Sequence, residues 1–104
     1  MNVKLANASL CDVDLTGASL TCGDLRAADL RGAILVRASL KGANLSGACL
    51  RSADFSGADL SGADLSGADF DRARLEKVNL RGADLAGANL IVARVGEIEH
   101  FQGD

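Results

Sequence analysis

Ala58-Asp59-Leu60-Ser61-Gly62 is followed at once by Ala63-Asp64-Leu65-Ser66-Gly67. The unit repeats outward in both directions. Positions 5, 10, 15 and onward to 95 are Leu at every step except Phe55, Phe70 and Val95. Two residues before each stands Ala, replaced only by Val3, Val13, Gly23 and Val78. Two residues after it Gly recurs at 17, 32, 42, 47, 57, 62, 67, 82 and 87. Directly before it comes a small polar residue, most often Asp: Asp14, Asp24, Asp29, Asp54, Asp59, Asp64, Asp69 and Asp84. Nineteen units keep this register without an insertion.

A period of five fits neither standard element. On an α-helix, five residues advance the side chain by about 140°, which scatters the Leu residues around the circumference. On a flat strand, an odd period sends successive Leu residues to opposite faces. Leu and Ala both point inward every time only if the chain turns a corner once per unit. Gly supplies the corner, because a type II turn demands φ > 0. Where Arg37, Arg72, Lys77 or Val92 takes the Gly position, a different turn type is expected. Ala and Leu favour helix by propensity, but the recurring Gly and the pattern itself outweigh it.

The units Ala43-Asn44-Leu45-Ser46-Gly47, Ala58-Asp59-Leu60-Ser61-Gly62 and Ala83-Asp84-Leu85-Ala86-Gly87 resemble the A(D/N)LXX signature of the pentapeptide-repeat proteins. The resemblance covers residues 3 to 97. It implies an all-β fold, a right-handed quadrilateral β-helix with four units per coil and about five coils. Residues 1–97 form that solenoid, and 98–104 form a C-terminal tail that serves as a cap. Each buried Leu contributes about 1.5–3 kcal/mol, too little for one coil to offset the ordering of its own backbone. Stability is therefore expected to come from stacking between neighbours. Phe55 and Phe70 belong to the core, and Gly23 in place of an inward Ala leaves a small deficit.

The composition agrees. The chain has 104 residues, 48% hydrophobic but only 3% aromatic, with twelve Gly and no Pro, Trp or Tyr. The net charge of −3 argues against direct nucleic-acid binding, which needs a basic surface to displace counterions. No apolar run of about 18 residues exists to cross a membrane, and no signal peptide stands at the start. Cys11, Cys22 and Cys49 fall on outward positions as free thiols, consistent with a cytoplasmic protein. The sole histidine, His100, lies far from them, so neither a metal site nor any cofactor is expected.

Residues twenty apart stack one above another in the implied fold, which maps the surface. Arg51 faces Asp71 and Asp54 faces Arg74, two candidate inter-coil ion pairs. Asp64 stacks on Asp84 and Arg74 on Arg94, both like-charge contacts. Charge is also banded along the axis. Asp54, Asp59, Asp64, Asp69 and Asp71 form an acidic coil between basic ones, a candidate recognition surface.

A solenoid has raw ends. Leu5, Leu10, Leu15 and Leu20 are poorly covered at one end, and Ile98 and Phe101 are expected to cap the other. Self-association as a homodimer by end stacking follows. The outward apolar pairs Ile34 with Val36 and Ile91 with Val92 offer a lesser contact.

A convex rod of uniform coils offers no concave pocket with converging groups, so no catalytic residue is named and no enzyme is expected. The reading is a structural or protein-interaction scaffold whose partner the repeat does not name. The alternative comes from the resemblance: some pentapeptide-repeat proteins mimic duplex DNA and protect DNA gyrase and topoisomerase IV from quinolones. Three features count against that alternative: a central residue that is mostly Leu, a modest net charge, and no C-terminal dimerisation helix.

Overall fold

The computed structural model describes residues 2–91, 93 and 94. It is a repeat β-solenoid in which each residue before the central Leu forms a parallel bridge with the residue twenty positions on. The bridges run from Lys4 with Asp24 to Arg74 with Arg94. Two kinds of hydrogen bond knit one coil to the next. The Leu45 N–H donates to the Asp64 carbonyl at 2.7 Å, and the Asp64 N–H donates back to the Ala43 carbonyl at 2.9 Å. The same exchange recurs around the coil, so the strand backbone is satisfied through its neighbours.

Every fifth residue turns a corner. The Ala48 N–H bonds the Leu45 carbonyl at 3.0 Å, closing a four-residue turn, while the corner Gly47 N–H donates outward to Ser66 of the next coil at 2.9 Å. Gly47 has φ 67°, the left-handed value that the third position of a type II turn requires. Four such corners fall within each twenty-residue step, giving four faces. The first face carries residues 3–7 and their equivalents twenty apart, the second 8–12, the third 13–17 and the fourth 18–22. The first lies opposite the third.

The expectation of another turn type at substituted corners is corrected. Arg37, Arg72 and Lys77 have φ 57°, 63° and 58°, and Asn7, Asp12, Cys22, Ala27 and Ser52 share the same region. The physical reason is the pair of hydrogen bonds. Arg37 still donates to Ser56 at 3.0 Å, and Ala38 still closes the turn onto Leu35 at 3.0 Å. These contacts hold a conformation that costs a non-Gly residue about 1–2 kcal/mol. Val92 lies outside the described residues, as do Ile98, Phe101 and the tail.

Inside, Leu25, Leu30, Leu35, Leu40, Leu45, Leu50, Leu60 and Leu65 are 0% exposed. Phe55 and Phe70 meet edge to face on adjoining sides, with ring centroids 6.0 Å apart and planes at 60°. Gly23 leaves no deficit, contrary to expectation: Val3, one coil earlier, places its Cγ1 where a Gly23 Cβ would stand. Large-for-small and small-for-large cancel across the stack. Leu5, Leu10 and Leu15 are only partly buried, as expected, but Leu20 is buried at 6% exposure. By the fourth face the winding chain has climbed most of one coil, and the next coil shields it.

Replacing Leu45 by Ala is expected to cost about 2–5 kcal/mol, against a clearly smaller loss for Leu10→Ala at the open end. Replacing Ala27 by Gly, which relieves a left-handed non-Gly corner, is expected to raise stability by up to about 1 kcal/mol. Denaturant unfolding of the three variants checks both expectations.

Candidate interaction faces

The outward positions beside each Leu set the surface, and Asp or Asn precedes the Leu for a reason not visible in the repeat alone. Its side-chain oxygen accepts the backbone N–H two residues on. Asp54 accepts from Ser56 at 2.9 Å, Asp59 from Ser61 at 2.9 Å, Asp64 from Ser66 at 3.0 Å and Asp69 from Asp71 at 3.0 Å. Asn44, Asn79 and Asn89 do the same for Ser46, Arg81 and Ile91. The bond occupies the first N–H of these corners, which neither the ladder nor the turn uses (an Asx-type lock).

This commitment changes the meaning of the acidic coil. Asp54, Asp59, Asp64 and Asp69 stand on four successive faces, so the ring encircles the rod and forms no single patch. Each is half-buried against its own corner. The Ser66 hydroxyl donates to Asp64 at 2.6 Å, and with the Ser66 N–H it holds that carboxyl below the ordinary carboxylate range. The Thr16 hydroxyl and N–H do the same for Asp14.

The second face carries the densest polar lattice. Arg31 grips Asp29 through Nε and Nη2 at 2.8 and 2.7 Å, and the same Nη2 touches the Cys11 sulfur at 3.7 Å. Asp29 is held well below the ordinary carboxylate range, first by Arg31. Its carboxylate pushes the Cys11 thiol up, so Cys11 is not an activated nucleophile. Arg51 reaches Asp71 at 2.9 Å, and the Asn89 amide donates to Asp69 at 3.1 Å. On the first face Arg26 forks onto Asp24 at 2.7 and 2.6 Å and lowers that carboxyl to about 2.

Of the two expected inter-coil ion pairs, Arg51 with Asp71 forms. Asp54 with Arg74 does not, although their backbones bridge. Arg74 instead reaches Glu76 at 3.5 Å, while the Asp54 carboxylate accepts the Ser56 N–H. The like-charge neighbours Asp64 with Asp84 and Arg74 with Arg94 are adjacent as expected. Ile34 and Ile91 are exposed, at 39% and 88%, but Val36 is half-buried and offers less apolar surface than expected.

Cys11 and Cys22 are exposed and Cys49 is half-buried, all as free thiols. Among the described residues no three His, Cys, Asp or Glu side chains are grouped to hold a metal ion. No helix among them is long and apolar enough to cross a membrane. The surface depressions are open troughs between coils. One on the second face is lined by Asp29, Arg31, Cys49 and Arg51, and one on the fourth by Lys41, Asp59 and Arg81.

Comparison with known proteins matches this geometry. The family model "Pentapeptide repeats" fits with 8 copies over residues 1–35, 24–57 and 53–90. A pentapeptide repeat protein from the Arabidopsis thaliana thylakoid lumen is 40% identical at TM-score 0.84, over 89% of this chain and 65% of that one. HetL, a pentapeptide repeat protein involved in heterocyst differentiation regulation from the cyanobacterium Nostoc sp. strain PCC 7120, is 40% identical at TM-score 0.89. That match covers 92% of this chain and 46% of HetL. The chain thus spans less than two thirds of either. QnrB1, a plasmid-mediated fluoroquinolone resistance protein, is 20% identical at TM-score 0.73, over 99% of this chain and 59% of QnrB1; this likeness concerns the fold alone. No curated protein matches the sequence.

Two outcomes are expected. Changing Asp59, Asp64 and Asp69 together to Asn leaves the unfolding midpoint near wild type, since Asn44, Asn79 and Asn89 already make the same lock; changing them to Ala lowers it. Because the folded carboxyls of Asp14, Asp24, Asp29 and Asp64 are depressed, their contribution is complete above the ordinary value of 3.8. It is lost as pH falls through their folded values, which for Asp24 means down through about 2. Unfolding midpoints measured from pH 7 to pH 2 are expected to hold level to about pH 5 and then to fall.

Proposed function

The chain belongs to the pentapeptide-repeat family, and from that premise we propose that it works without catalysis, as a rigid rod that holds an acidic protein partner. The reading takes the winding as right-handed with about five coils, and the compartment as the cytoplasm. One observation carries it. The net charge is −3, yet most carboxylates are turned onto their own backbone or onto a neighbouring Arg, while several cations are uncommitted. Among the described residues Arg37, Lys41, Arg72 and Lys77 make no ion pair.

Arg37 and Lys77 occupy the same corner of the third face two coils apart, about 10 Å along the rod. The stem of Arg37 lies over Gly57 between them, in contact range of that glycine's missing Cβ. Lys41 stands on the adjoining fourth face. Charge on a rigid, evenly spaced backbone selects partners by complementarity more than it adds raw affinity. The alternative, a DNA mimic that shields gyrase or topoisomerase IV, has only the fold likeness to QnrB1 on its side.

The test is affinity capture from the native lysate with wild type and two variants. Arg37→Glu with Lys77→Glu is expected to lose the captured partner. The triple Asp-to-Asn variant at 59, 64 and 69 is expected to keep it. The reverse result would transfer recognition to the acidic coil. A gyrase supercoiling assay with ciprofloxacin is expected to show no protection at micromolar protein.

A further inference from the structure

The third face changes character along the rod. Its bridges stack Asp14, Ile34, Asp54, Arg74 and Arg94 in one column, one residue per coil. In the second coil the face is apolar: Ile34 is 39% exposed, with half-buried Val36 beside it. The third coil carries only short side chains outward, Asp54, Ser56 and Gly57. In the fourth and fifth coils the face is basic. Arg72 stands at the corner that opens it, Lys77 at the corner that closes it, and Arg74 and Arg94 at its middle on adjacent coils. All four are exposed. Arg72, Lys77 and Arg94 make no ion pair among the described residues, and Arg74 has only Glu76 at 3.5 Å. The bordering carboxylates of Asp54 and Asp71 are held by Ser56 and Arg51. On the first and second faces, by contrast, Arg26, Arg31 and Arg51 are each taken by an Asp.

We propose that the third face docks an extended acidic segment of a protein partner, laid lengthwise along the rod. An apolar side chain of the segment covers Ile34 and Val36, and its carboxylates meet Arg72, Arg74, Lys77 and Arg94. The assignment rests on the acidic-partner reading above and adds which face binds and what sequence it selects. Charge complementarity names the occupant, since guanidinium groups take carboxylates through paired N–H···O bonds. Spacing names the sequence. Ile34 and Arg74 are two coils apart, about 10 Å, and Arg94 lies one coil further, about 14 Å from Ile34. An extended chain rises about 3.3 Å per residue. The fitting segment therefore carries an apolar residue about three positions from the nearest member of an acidic run, in either chain direction. The residues between them cross the third coil over Asp54, which favours small neutral side chains there. Turning the segment end for end carries its acids toward Asp14 and leaves the four cations unanswered. The pairs are exposed, so the site is weak, selective and sensitive to salt.

The probe is a blocked synthetic peptide with one Leu, two small spacer residues and a run of Glu, titrated into isotope-labelled protein and followed by NMR. Saturable shifts are expected at Ile34, Val36, Arg72, Arg74, Lys77 and Arg94. Arg72→Asn with Arg74→Gln and Arg94→Gln is expected to weaken binding about tenfold or more. Asn keeps a residue that tolerates the left-handed corner at Arg72. The same peptide with Ser for Leu is expected to bind about threefold more weakly to wild type, and equally well to Ile34→Ser protein. That coupling is absent if Ile34 acts only on the fold. No saturation at millimolar peptide overturns the proposal, as do shifts confined to another face. A duplex oligonucleotide that saturates the third face at lower concentration overturns it too. So do third-face shifts that follow protein concentration alone, which name a second copy as the occupant. The two readings separate in the capture experiment. A partner lost with the Arg37 and Lys77 reversals but kept by the Arg72, Arg74 and Arg94 variant overturns the third-face assignment alone. Peptide bound at the third face with no acidic protein captured supports the assignment and overturns only the acidic-partner reading.

Discussion

The structure depends on a backbone bend held in the left-handed region at every fifth residue. Two hydrogen bonds hold it, one closing the turn and one reaching the next coil. Only with that bend does each Leu return to the common axis, and only then do identical layers stack with nothing polar buried among the described residues. The stack in turn secures the bend, because the corner N–H finds its acceptor in the neighbouring coil. Local geometry and long-range pairing are one cooperative event, which is why an isolated coil has little stability of its own. The bend is strong enough to impose its conformation on Arg, Lys, Ser, Cys and Ala alike.

The core was legible in the sequence because its signal is periodic: Leu45, Leu60 and their equivalents announce themselves by position, and Phe55 and Phe70 by substitution in register. What escaped reading depends on relations the period does not show. The corners at Arg37 and Lys77 follow the common turn because hydrogen bonds from elsewhere override residue preference. Gly23 is compensated by Val3, twenty residues earlier in the chain. Arg74 turns to Glu76 within its own coil and leaves Asp54 to Ser56, a choice of partner that the spacing of twenty does not show. The candidate surface was less legible than the core for the same reason: a list of Asp residues carries charge but not direction. The face on which each one stands, and the group it already holds, come from the fold.

That distinction reverses the first impression of the surface. An excess of acidic residues suggests a negative rod, yet Asp and Asn serve first as backbone acceptors that stabilise corners. Arg26 and Arg31 are drawn onto Asp24 and Asp29 within one rung, answering those two carboxylates. Arg37 and Lys77, at the left-handed corner position, make no ion pair among the described residues and are left to meet other molecules. The same residue class thus divides by location: beside the Leu it belongs to the scaffold, and at the corner it belongs to the outside.

The twenty-residue step has a consequence for how such a surface changes over generations. Recombination between near-identical units adds or removes sequence in multiples of five. Loss of a whole coil shortens the rod but leaves every downstream side chain facing the same way. Loss of a single unit keeps the interior intact while rotating everything after it by about a quarter turn. One slippage event therefore redraws half a binding surface without unfolding the protein. Its interior is conservative under the same genetic accident that makes its exterior inventive.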